Sequence, residues 1–185
     1  MKLLQTSIPG LLLFEPSVFA DHRGFFLESY HAQKYAELGL TAQFVQDNHS
    51  FSCQDTLRGL HYQRQHPQGK LVSVIRGTIF DVGVDIRQGS PTFGQWYGAC
   101  LCGENHHQLY IPPGFAHGFC VLSETADVLY KCTDFYDPTD DCCLRWNDPD
   151  LQIDWPVREP LLSAKDASAP FLKDVTLHLP CFESP

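Results

Sequence analysis

Short apolar segments separated by glycine, proline and aspartate run along most of this sequence, which is the pattern of many short β-strands. The clearest strand is 79–86, in which the even-numbered positions from Phe80 to Ile86 are apolar while Asp81 and Asp85 fall on the opposite face. Such alternation predicts a half-buried strand with one polar face. The other segments with strand character are 11–15, 25–30, 44–51, 71–75, 95–101, 108–111, 118–122 and 128–136.

One helix is predicted near the start of the chain, over residues 31–38. Gly39 follows it at the position where a left-handed residue often ends a helix. Strands and helices do not alternate, so the order favours an antiparallel sandwich or jelly-roll barrel over an α/β fold. After Trp155 the periodicity gives way to a proline-rich segment, which we expect to wrap around the barrel.

Length and composition restrict the class of protein. The 185 residues, 43% hydrophobic and 19% charged, suit a single folded domain over 1–185 with its core at about 9–172. The chain has no apolar run long enough to span a bilayer, so no membrane partner is expected. A net charge of −9 argues against a general nucleic-acid binder. An anionic ligand therefore has to meet a local cluster of cations.

The cellular location is inferred from the N-terminus and the cysteines. No secretory signal is visible at the N-terminus, so a cytoplasmic location is expected. The eight cysteines lack the C-x-x-C spacing of zinc and redox sites, and no small secreted scaffold surrounds them. We expect reduced, mostly buried thiols.

Two histidines lie in glycine- and proline-rich segments of this strand-rich chain. The segment 112–118 around His117 resembles the P-x-G-x-x-H half-motif of cupins, whose metal-binding members supply H-x-H and a glutamate from the other half. Here the position two residues after His61 is Gln63, and Lys70 follows instead of a glutamate. A cation in the mouth of the barrel would repel a divalent metal and would suit an anionic intermediate. The sequence thus predicts a mostly β, cupin-type jelly-roll barrel or sandwich with few short helices, without a metal or other cofactor.

A series of motifs, in order and with compatible spacing from about residue 9 to 172, resembles the dTDP-4-dehydrorhamnose 3,5-epimerases. So long an ordered series is far more specific than any single motif. The matching segments are DHRGFF at 21–26, QDNHS at 46–50, RGLHYQ at 58–63, GKLV at 69–72, DV at 81–82, GSPTFG at 89–94, PGFAHGF at 113–119, WNDP at 146–149 and LSAKD at 162–166.

The resemblance implies a reaction and a set of catalytic residues. The family inverts C3 and C5 on either side of the C4 ketone of dTDP-4-dehydro-6-deoxy-D-glucose, giving dTDP-4-dehydro-L-rhamnose. By resemblance His61 is the base, Asp166 orients it, and Lys70 lies near the developing enolate oxygen. Tyr130 matches the proton donor, and a phenol with an ordinary pKa of about 10 is protonated at neutral pH. His117 would contact the sugar.

The resemblance also implies a nucleotide-binding set and an assembly. Arg23 and Arg58 match the family's diphosphate contacts, and Tyr136 matches the aromatic that stacks on thymine. Further contact positions are Glu28, Gln46, Asp47, Asn48, Asp141 and Lys165. The family is typically a homodimer in which an N-terminal strand of one subunit completes the other's sheet and site. Arg23 and Glu28 would then serve the neighbouring subunit.

The sequence leaves four hypotheses for the function of this protein. Taken singly, His61 fits a packed or surface histidine, Tyr130 a barrel-wall aromatic, Lys70 a solvated charge and Asp166 a turn or helix cap. The alternatives to a 3,5-epimerase are a sister dTDP-sugar enzyme that epimerises one carbon or isomerises the ketone, and a metal-dependent cupin enzyme. A non-catalytic sugar-binding module is disfavoured, because binding alone gives no reason to pair a base with a proton donor.

Overall fold

The computed structural model describes residues 1–182, and Pro185 of the expected tail lies outside them. Thirteen strands and three short α-helices make up the regular structure of this part of the chain. The strands are β1 Lys2–Leu4, β2 Leu12–Glu15, β3 Val18–Asp21, β4 Gly24–Leu27, β5 Gln46–Cys53, β6 Leu57–Gln63, β7 Lys70–Arg76, β8 Thr78–Asp85, β9 Trp96–Cys102, β10 Gln108–Ile111, β11 Phe115–Val121, β12 Thr125–Cys132 and β13 Asp141–Cys143. The helices are α1 Ala32–Glu37, α2 Ala164–Ala167 and α3 Leu172–Val175, followed by the 3-10 helix Thr176–His178.

Two antiparallel sheets form the body of the protein. The larger has the order β1-β2-β10-β7-β12-β5, the smaller has the order β13-β6-β11-β8-β9, and β3 and β4 form a separate two-stranded ribbon. The expected mostly β jelly-roll architecture with few short helices is confirmed. Among residues 1–182, no helix has the length and apolar character needed to cross a membrane.

The main core lies between the two sheets. Val72 and Val128 of the six-stranded sheet pack in one cluster with Ile79 and Val121 of the five-stranded sheet. Because strands alternate their side chains, the five-stranded sheet has a second apolar face on the outside. The C-terminal segment covers that face, as the expected wrapping tail.

This second cluster shows how the tail is attached. Val82 and Val84 of β8 pack there with Leu151, Trp155 and Leu172. The indole nitrogen of Trp155 also donates to a backbone carbonyl in the same segment, 2.8 Å away. The tail is therefore part of the folded body, and the core continues outside the barrel.

The aspartates of β8 do not form the solvent-facing polar face predicted from their alternation. Asp81 and Asp85 are both 0% exposed. The prediction of a half-buried strand was wrong because the tail covers one face of β8 and the six-stranded sheet covers the other. Asp85 is held by Arg87, Ser90 and Thr92, and Asp81 bonds to His117.

Most predicted elements are present with shifted ends. The helix occupies Ala32–Glu37 and Gly39 has the expected positive φ of 96°. The predicted strand 128–136 ends at Cys132, after which the chain forms a loop. Four strands were not predicted: β1, β3, β6 and β13. The omission of β6 is the most important, because this strand carries His61.

The cysteines are free thiols, but the expectation that most are buried was wrong. Only Cys120 and Cys132 are buried, while Cys53, Cys100 and Cys181 are exposed and the other three are intermediate. Cys53 ends the edge strand β5, and Cys181 lies in the terminal segment. At both places a thiol side chain has few neighbours to pack against, so it stays exposed.

Candidate active site

A cleft with two lobes opens between the sheets. The first, called here the Tyr136 lobe, has a volume of ≈ 260 Å³ and the second, the His117 lobe, ≈ 170 Å³. His61, Lys70 and Tyr130 line both lobes. The Tyr136 lobe is further lined by Gln46, Asn48, Tyr62, Gln63, Gln68, Tyr136 and Asp141, and the His117 lobe by Ser50, Arg58, His117 and Phe119.

A close approach of two strands places the two histidines side by side. Gly59 of β6 has φ 131°, and a Cβ there would lie 2.5 Å from the Cα of Gly118 on β11. Only glycine tolerates both the backbone conformation and the contact. The register of the two strands then sets His61 opposite His117, with both side chains toward the cleft.

His61 is paired with an aspartate delivered from the C-terminal segment. Its Nε2 lies 2.6 Å from Oδ1 of Asp166, which is 2% exposed. Ser163, the N-cap of α2, accepts from the Asp166 backbone N–H and donates to its Oδ2 at 2.9 Å. Burial raises the pKa of Asp166, but hydrogen bonds from His61 and Ser163 outweigh it and hold the pKa below its ordinary value. An ionised carboxylate only accepts, so Nε2 is the donor, and in the neutral imidazole Nδ1 is the nitrogen that keeps a free lone pair.

His117 forms a second pair, and its partner was not anticipated. Nε2 of His117 lies 2.7 Å from Oδ1 of Asp81, and both side chains are buried. Burial lowers the pKa of His117, although the Asp81 charge opposes this, so the imidazole is neutral at pH 7. An aspartate within an apolar strand was the available signal for Asp81, but it was taken as solvent-facing.

The cation and the phenol expected at the cleft lie on adjacent strands. Lys70 begins β7 and Tyr130 lies on β12, where their strands pair antiparallel. Burial lowers the pKa of Lys70, against the opposing influence of Cys132, Asp141 and Asp81. Burial raises the pKa of Tyr130, so its hydroxyl keeps its proton well above neutral pH.

Polar groups around Tyr136 close the other end of the cleft. Tyr136 donates its hydroxyl to Oδ2 of Asp141 at 2.9 Å, and this bond raises the pKa of the phenol. Nζ of Lys165 lies 2.6 Å from the same carboxylate. Arg58 lies in the His117 lobe, where its Nε donates to the hydroxyl of Ser52 at 3.0 Å.

Three expected contact residues are not brought to the cleft within the chain. Asp47 lies between Gln46 and Asn48 on β5. Because side chains alternate along the strand, that of Asp47 points to the outer face, where it pairs with Lys131 at 3.0 Å. Arg23 lies in the turn of the β3–β4 ribbon and pairs with Asp21 at 2.6 Å, and Glu28 pairs with Lys34. Their assigned roles stay predictions.

Other lining residues had not been proposed from the sequence. Ser50 continues the two-residue period of Gln46 and Asn48 into the His117 lobe. Its hydroxyl oxygen and Oδ2 of Asp81 are buried without a hydrogen-bond partner among residues 1–182. The period was a usable signal for Ser50.

The described part of the chain contains no group of three or more His, Cys, Asp or Glu side chains arranged to hold a metal ion. Metal independence nevertheless stays a prediction. Both histidine Nε2 atoms are instead engaged by aspartates, so the cleft combines an imidazole nitrogen, a lysine side chain and a phenol. Such a set can move a proton at carbon and stabilise the resulting anion.

Comparison with known proteins identifies the family. The family model for dTDP-4-dehydrorhamnose 3,5-epimerase matches residues 5–174. The enzyme of that name from Pseudomonas aeruginosa is 57% identical over 168 residues, covering 90% of this chain and 93% of that protein, and the one from Salmonella typhimurium is 54% identical over 180 residues, covering 96% and 98%. The crystal structure of dTDP-6-deoxy-D-glucose-3,5-epimerase from Legionella pneumophila in complex with dTDP-4-keto-L-rhamnose has a TM-score of 0.96 and 53% identity, covering 99% of each chain. This protein belongs to the dTDP-4-dehydrorhamnose 3,5-epimerase family of isomerases.

Proposed function

We propose that this protein inverts C3 and C5 of dTDP-4-dehydro-6-deoxy-D-glucose through enolate intermediates, giving dTDP-4-dehydro-L-rhamnose for dTDP-rhamnose synthesis. The observation that carries the proposal is the His61–Asp166 pair, since its His61 lines a cleft that Lys70 and Tyr130 also line. A base, an oxyanion partner and an acid in one cavity are the groups that epimerisation beside a ketone requires.

The first step is removal of a proton from carbon. Nδ1 of His61 accepts the proton from C3 or C5, because Nε2 is already committed to Asp166. The imidazolium that forms lies 2.6 Å from the Asp166 carboxylate and is stabilised by it. Electrons of the broken C–H bond move into the ring and onto the ketone oxygen at C4.

The second step is stabilisation and reprotonation of the enolate. The half-buried side chain of Lys70 is placed to face the negative oxygen, where low solvent access strengthens the attraction to its ammonium form. Since C3 and C5 flank the same ketone, one cation serves both enolates. Tyr130 then gives its proton to the carbon from the opposite face, which inverts the centre.

The nucleotide is assigned to the remaining surface of the cleft. Tyr136 is half exposed at the rim and suits stacking on thymine, as aromatic side chains do with nucleic-acid bases. Arg58, in the His117 lobe, and Lys165, which pairs with the lining residue Asp141, supply positive charge for the diphosphate. Gln46 and Asn48 offer amides along the wall of the Tyr136 lobe. The unpartnered hydroxyl of Ser50 supports a polar ligand in the His117 lobe, where the sugar would lie.

The active form in this proposal is a homodimer with exchanged N-terminal strands. The β3–β4 ribbon exposes Phe19, Phe25 and Phe26 at 64%, 61% and 65%, which is costly for an isolated chain in water. Docking on a second copy would cover these rings and carry Arg23 and Glu28 toward the partner's cleft. This accounts for the distance of both residues from the cleft of their own chain.

A cytoplasmic location and independence from cofactors complete the proposal. Eight free thiols, three of them exposed, are typical of a reducing compartment. The ketone of the substrate already acidifies the neighbouring C–H bonds, so acid–base groups are sufficient for the chemistry.

Solvent deuterium incorporation tests the reaction directly. Wild-type protein with dTDP-4-dehydro-6-deoxy-D-glucose in deuterated buffer should exchange the protons at C3 and C5, as followed by NMR. His61→Ala should slow both exchanges by about 10²–10⁴-fold. The exposed His178, in the C-terminal 3-10 helix, provides the matched control, and His178→Ala should exchange at the wild-type rate.

The positions of deuterium exchange distinguish the 3,5-epimerase from the alternative functions. Exchange in His61→Ala at the wild-type rate would remove His61 from the chemistry. Exchange and inversion at one carbon only would instead establish the sister activity, a 3- or 5-epimerase.

A further inference from the structure

Gln63 takes the place of a metal-ligating histidine, and the epimerisation mechanism gives it no part. Gln63 is 5% exposed, and its side chain makes three hydrogen bonds to backbone groups. Nε2 donates to the carbonyl oxygens of His66 at 2.7 Å and Phe135 at 3.1 Å, and Oε1 accepts from the N–H of Asp137 at 2.9 Å. Both amide protons and the oxygen are therefore used within the protein.

Two of these bonds are made to the residues on either side of Tyr136. Gln63 holds the carbonyl of Phe135 and the N–H of Asp137, while Oε1 of Gln46 accepts from the N–H of Tyr136 itself at 2.9 Å. Three successive residues of a loop are thus held by side chains from β5 and β6. The ring of Tyr136 is half exposed, and its hydroxyl is anchored at the far end by the bond to Asp141, so the backbone bonds fix where the side chain starts.

The third bond of Gln63 joins this loop to a second one. The loop containing Gln65 and His66 donates two backbone N–H groups to Oδ2 of the buried Asp140, at 2.8 and 2.9 Å. Gln68 donates to the carbonyl of Asp134 at 2.8 Å. The two loops form one rim of the Tyr136 lobe, and Gln63 is the strand residue that bonds to both.

An amide is the side chain that meets these demands. Two carbonyls need donors and one N–H needs an acceptor, and only Asn and Gln carry two donors and an acceptor on one planar group. A glutamate would turn a negative charge toward two carbonyl oxygens, and a leucine would satisfy none of the three groups.

We propose that Gln63 is a positioning residue, which holds Tyr136 where it stacks on the thymine of the nucleotide and thereby sets nucleotide affinity without setting the rate of proton transfer. The inference rests on the proposed function, in which Tyr136 faces thymine. His61 is oriented separately by Asp166 and by the pairing of β6 with β11. Loss of the Gln63 amide should therefore leave the proton-transfer geometry in place.

A double-mutant cycle on dTDP binding tests this role. Tyr136→Ala should raise the calorimetric Kd for dTDP by about 5–150-fold, the range found when a stacking aromatic is removed. Gln63→Leu should raise Kd and KM by roughly tenfold while kcat at saturation stays within about threefold. In the Tyr136→Ala background, Gln63→Leu should change Kd by less than about twofold, because the ring it positions is already gone.

Gln54→Leu is the matched control, since the side chain of this exposed glutamine donates only one long bond, 3.4 Å, to the carbonyl of Leu122 among the described residues. It should leave Kd, KM and kcat at wild-type values. If Gln63→Leu does not fold, Gln63→Glu is used in the same cycle, because it keeps the acceptor for Asp137. Independent, additive effects of the two substitutions would overturn the proposal, as would a fall in kcat as large as the rise in Kd.

Amide hydrogen exchange in the free protein provides a readout without nucleotide. The Asp137 N–H should exchange faster in Gln63→Leu than in wild type and should be unchanged in Gln54→Leu. Unchanged protection of Asp137 would refute the positioning role whether or not the protein binds dTDP. A wild-type protein that neither binds dTDP nor exchanges C3 and C5 would refute the proposed function, with the Asp137 result still standing on its own.

Discussion

His61 and His117 lie opposite each other on neighbouring strands, and each shares a hydrogen bond with a buried aspartate. Their environments separate their chemistry. The side chain of His61 is 33% exposed and faces the cleft, whereas that of His117 is 7% exposed and has its pKa lowered by burial. His61 is therefore suited to take up a proton, and His117 to act as a neutral hydrogen-bonding group.

Tyr130 can be tested apart from His61 because deprotonation and reprotonation use opposite faces. Tyr130→Phe keeps the ring but removes the acid, so His61 can still take a proton and return deuterium to the same face. We expect isotope exchange at C3 or C5 with little inversion, and a fall in epimerisation of about 10²–10⁴-fold. NMR of the recovered sugar measures both quantities. Normal inversion in Tyr130→Phe would assign the acid to another group.

Lys70 is expected to lower the stability of the fold in exchange for function. Burial lowers its pKa, so the folded state disfavours the ammonium. This penalty is largest at low pH and shrinks as the pH rises from the lowered pKa toward the lysine's ordinary range. Lys70→Met should abolish epimerisation yet raise stability at pH 7 by about 1 kcal/mol, or roughly 2–4 °C in Tm.

The control for Lys70 is Lys2→Met at an exposed ion pair with Glu15, which should shift stability by less than about 0.5 kcal/mol. Calorimetry at pH 7 and pH 9 checks the sign, since the gain from Lys70→Met should shrink at the higher pH. A lower Tm for Lys70→Met at pH 7 would mean that the ammonium stabilises the fold.

At the scale of elements, the pairing of β6 with β11 brings the two histidines together. Gly59→Ala would force a Cβ to 2.5 Å from Gly118 at a φ of 131°, so the strands have to separate. We expect a loss of about 2–4 kcal/mol of unfolding free energy, and loss of activity as His61 and His117 move apart.

Gly39→Ala separates the two causes, because Gly39 also has a positive φ, 96°, but a Cβ there meets nothing within 4 Å. Backbone strain alone should cost about 1–2 kcal/mol and leave activity intact. Urea unfolding of both variants measures the difference. Equal losses for the two glycines would show that the contact with Gly118 is unimportant.

At the scale of the whole molecule, the exposed β3–β4 ribbon leads to a test of the shared site. Neither His61→Ala nor Arg23→Ala should be active alone if Arg23 completes the partner's cleft. When the two are unfolded and refolded together, about a quarter of wild-type activity should return, because half of the dimers are mixed and each has one intact site. No recovery would place Arg23 outside the partner's site.

The ribbon also predicts the oligomeric state. Phe26→Asp, at a ring that is 65% exposed, should give monomers in light scattering at concentrations where wild type is dimeric. Phe135→Asp is the matched control, since Phe135 is equally exposed at 65% but lies outside the ribbon. A wild-type protein that remains monomeric through a concentration series would contradict the dimer.

The local pattern of apolar and polar residues predicted the position of an element well where the sequence signal was regular. The alternation in 79–86 placed the strand correctly, and Gly39 marked the end of the helix. It failed for β6, whose arginine, glycine and histidine suit a site better than a strand, and for β13, a three-residue edge strand. It also assigned Asp81 to solvent, because a sequence does not tell which layer will cover a face.

The sequence by itself determined the β architecture, the family and the residue types available for proton transfer, because periodicity and ordered motifs are local properties. Only the tertiary structure decided which groups meet. The motifs had implied that Asp166 orients His61, 105 positions away, but nothing in the sequence paired Asp81 with His117 across 36 positions. The same packing buried both aspartates, turned Asp47 away and left Arg23 on a ribbon remote from its own cleft. Contact and burial arise from the packing of sheets and tail, and they decide what each of these side chains can do.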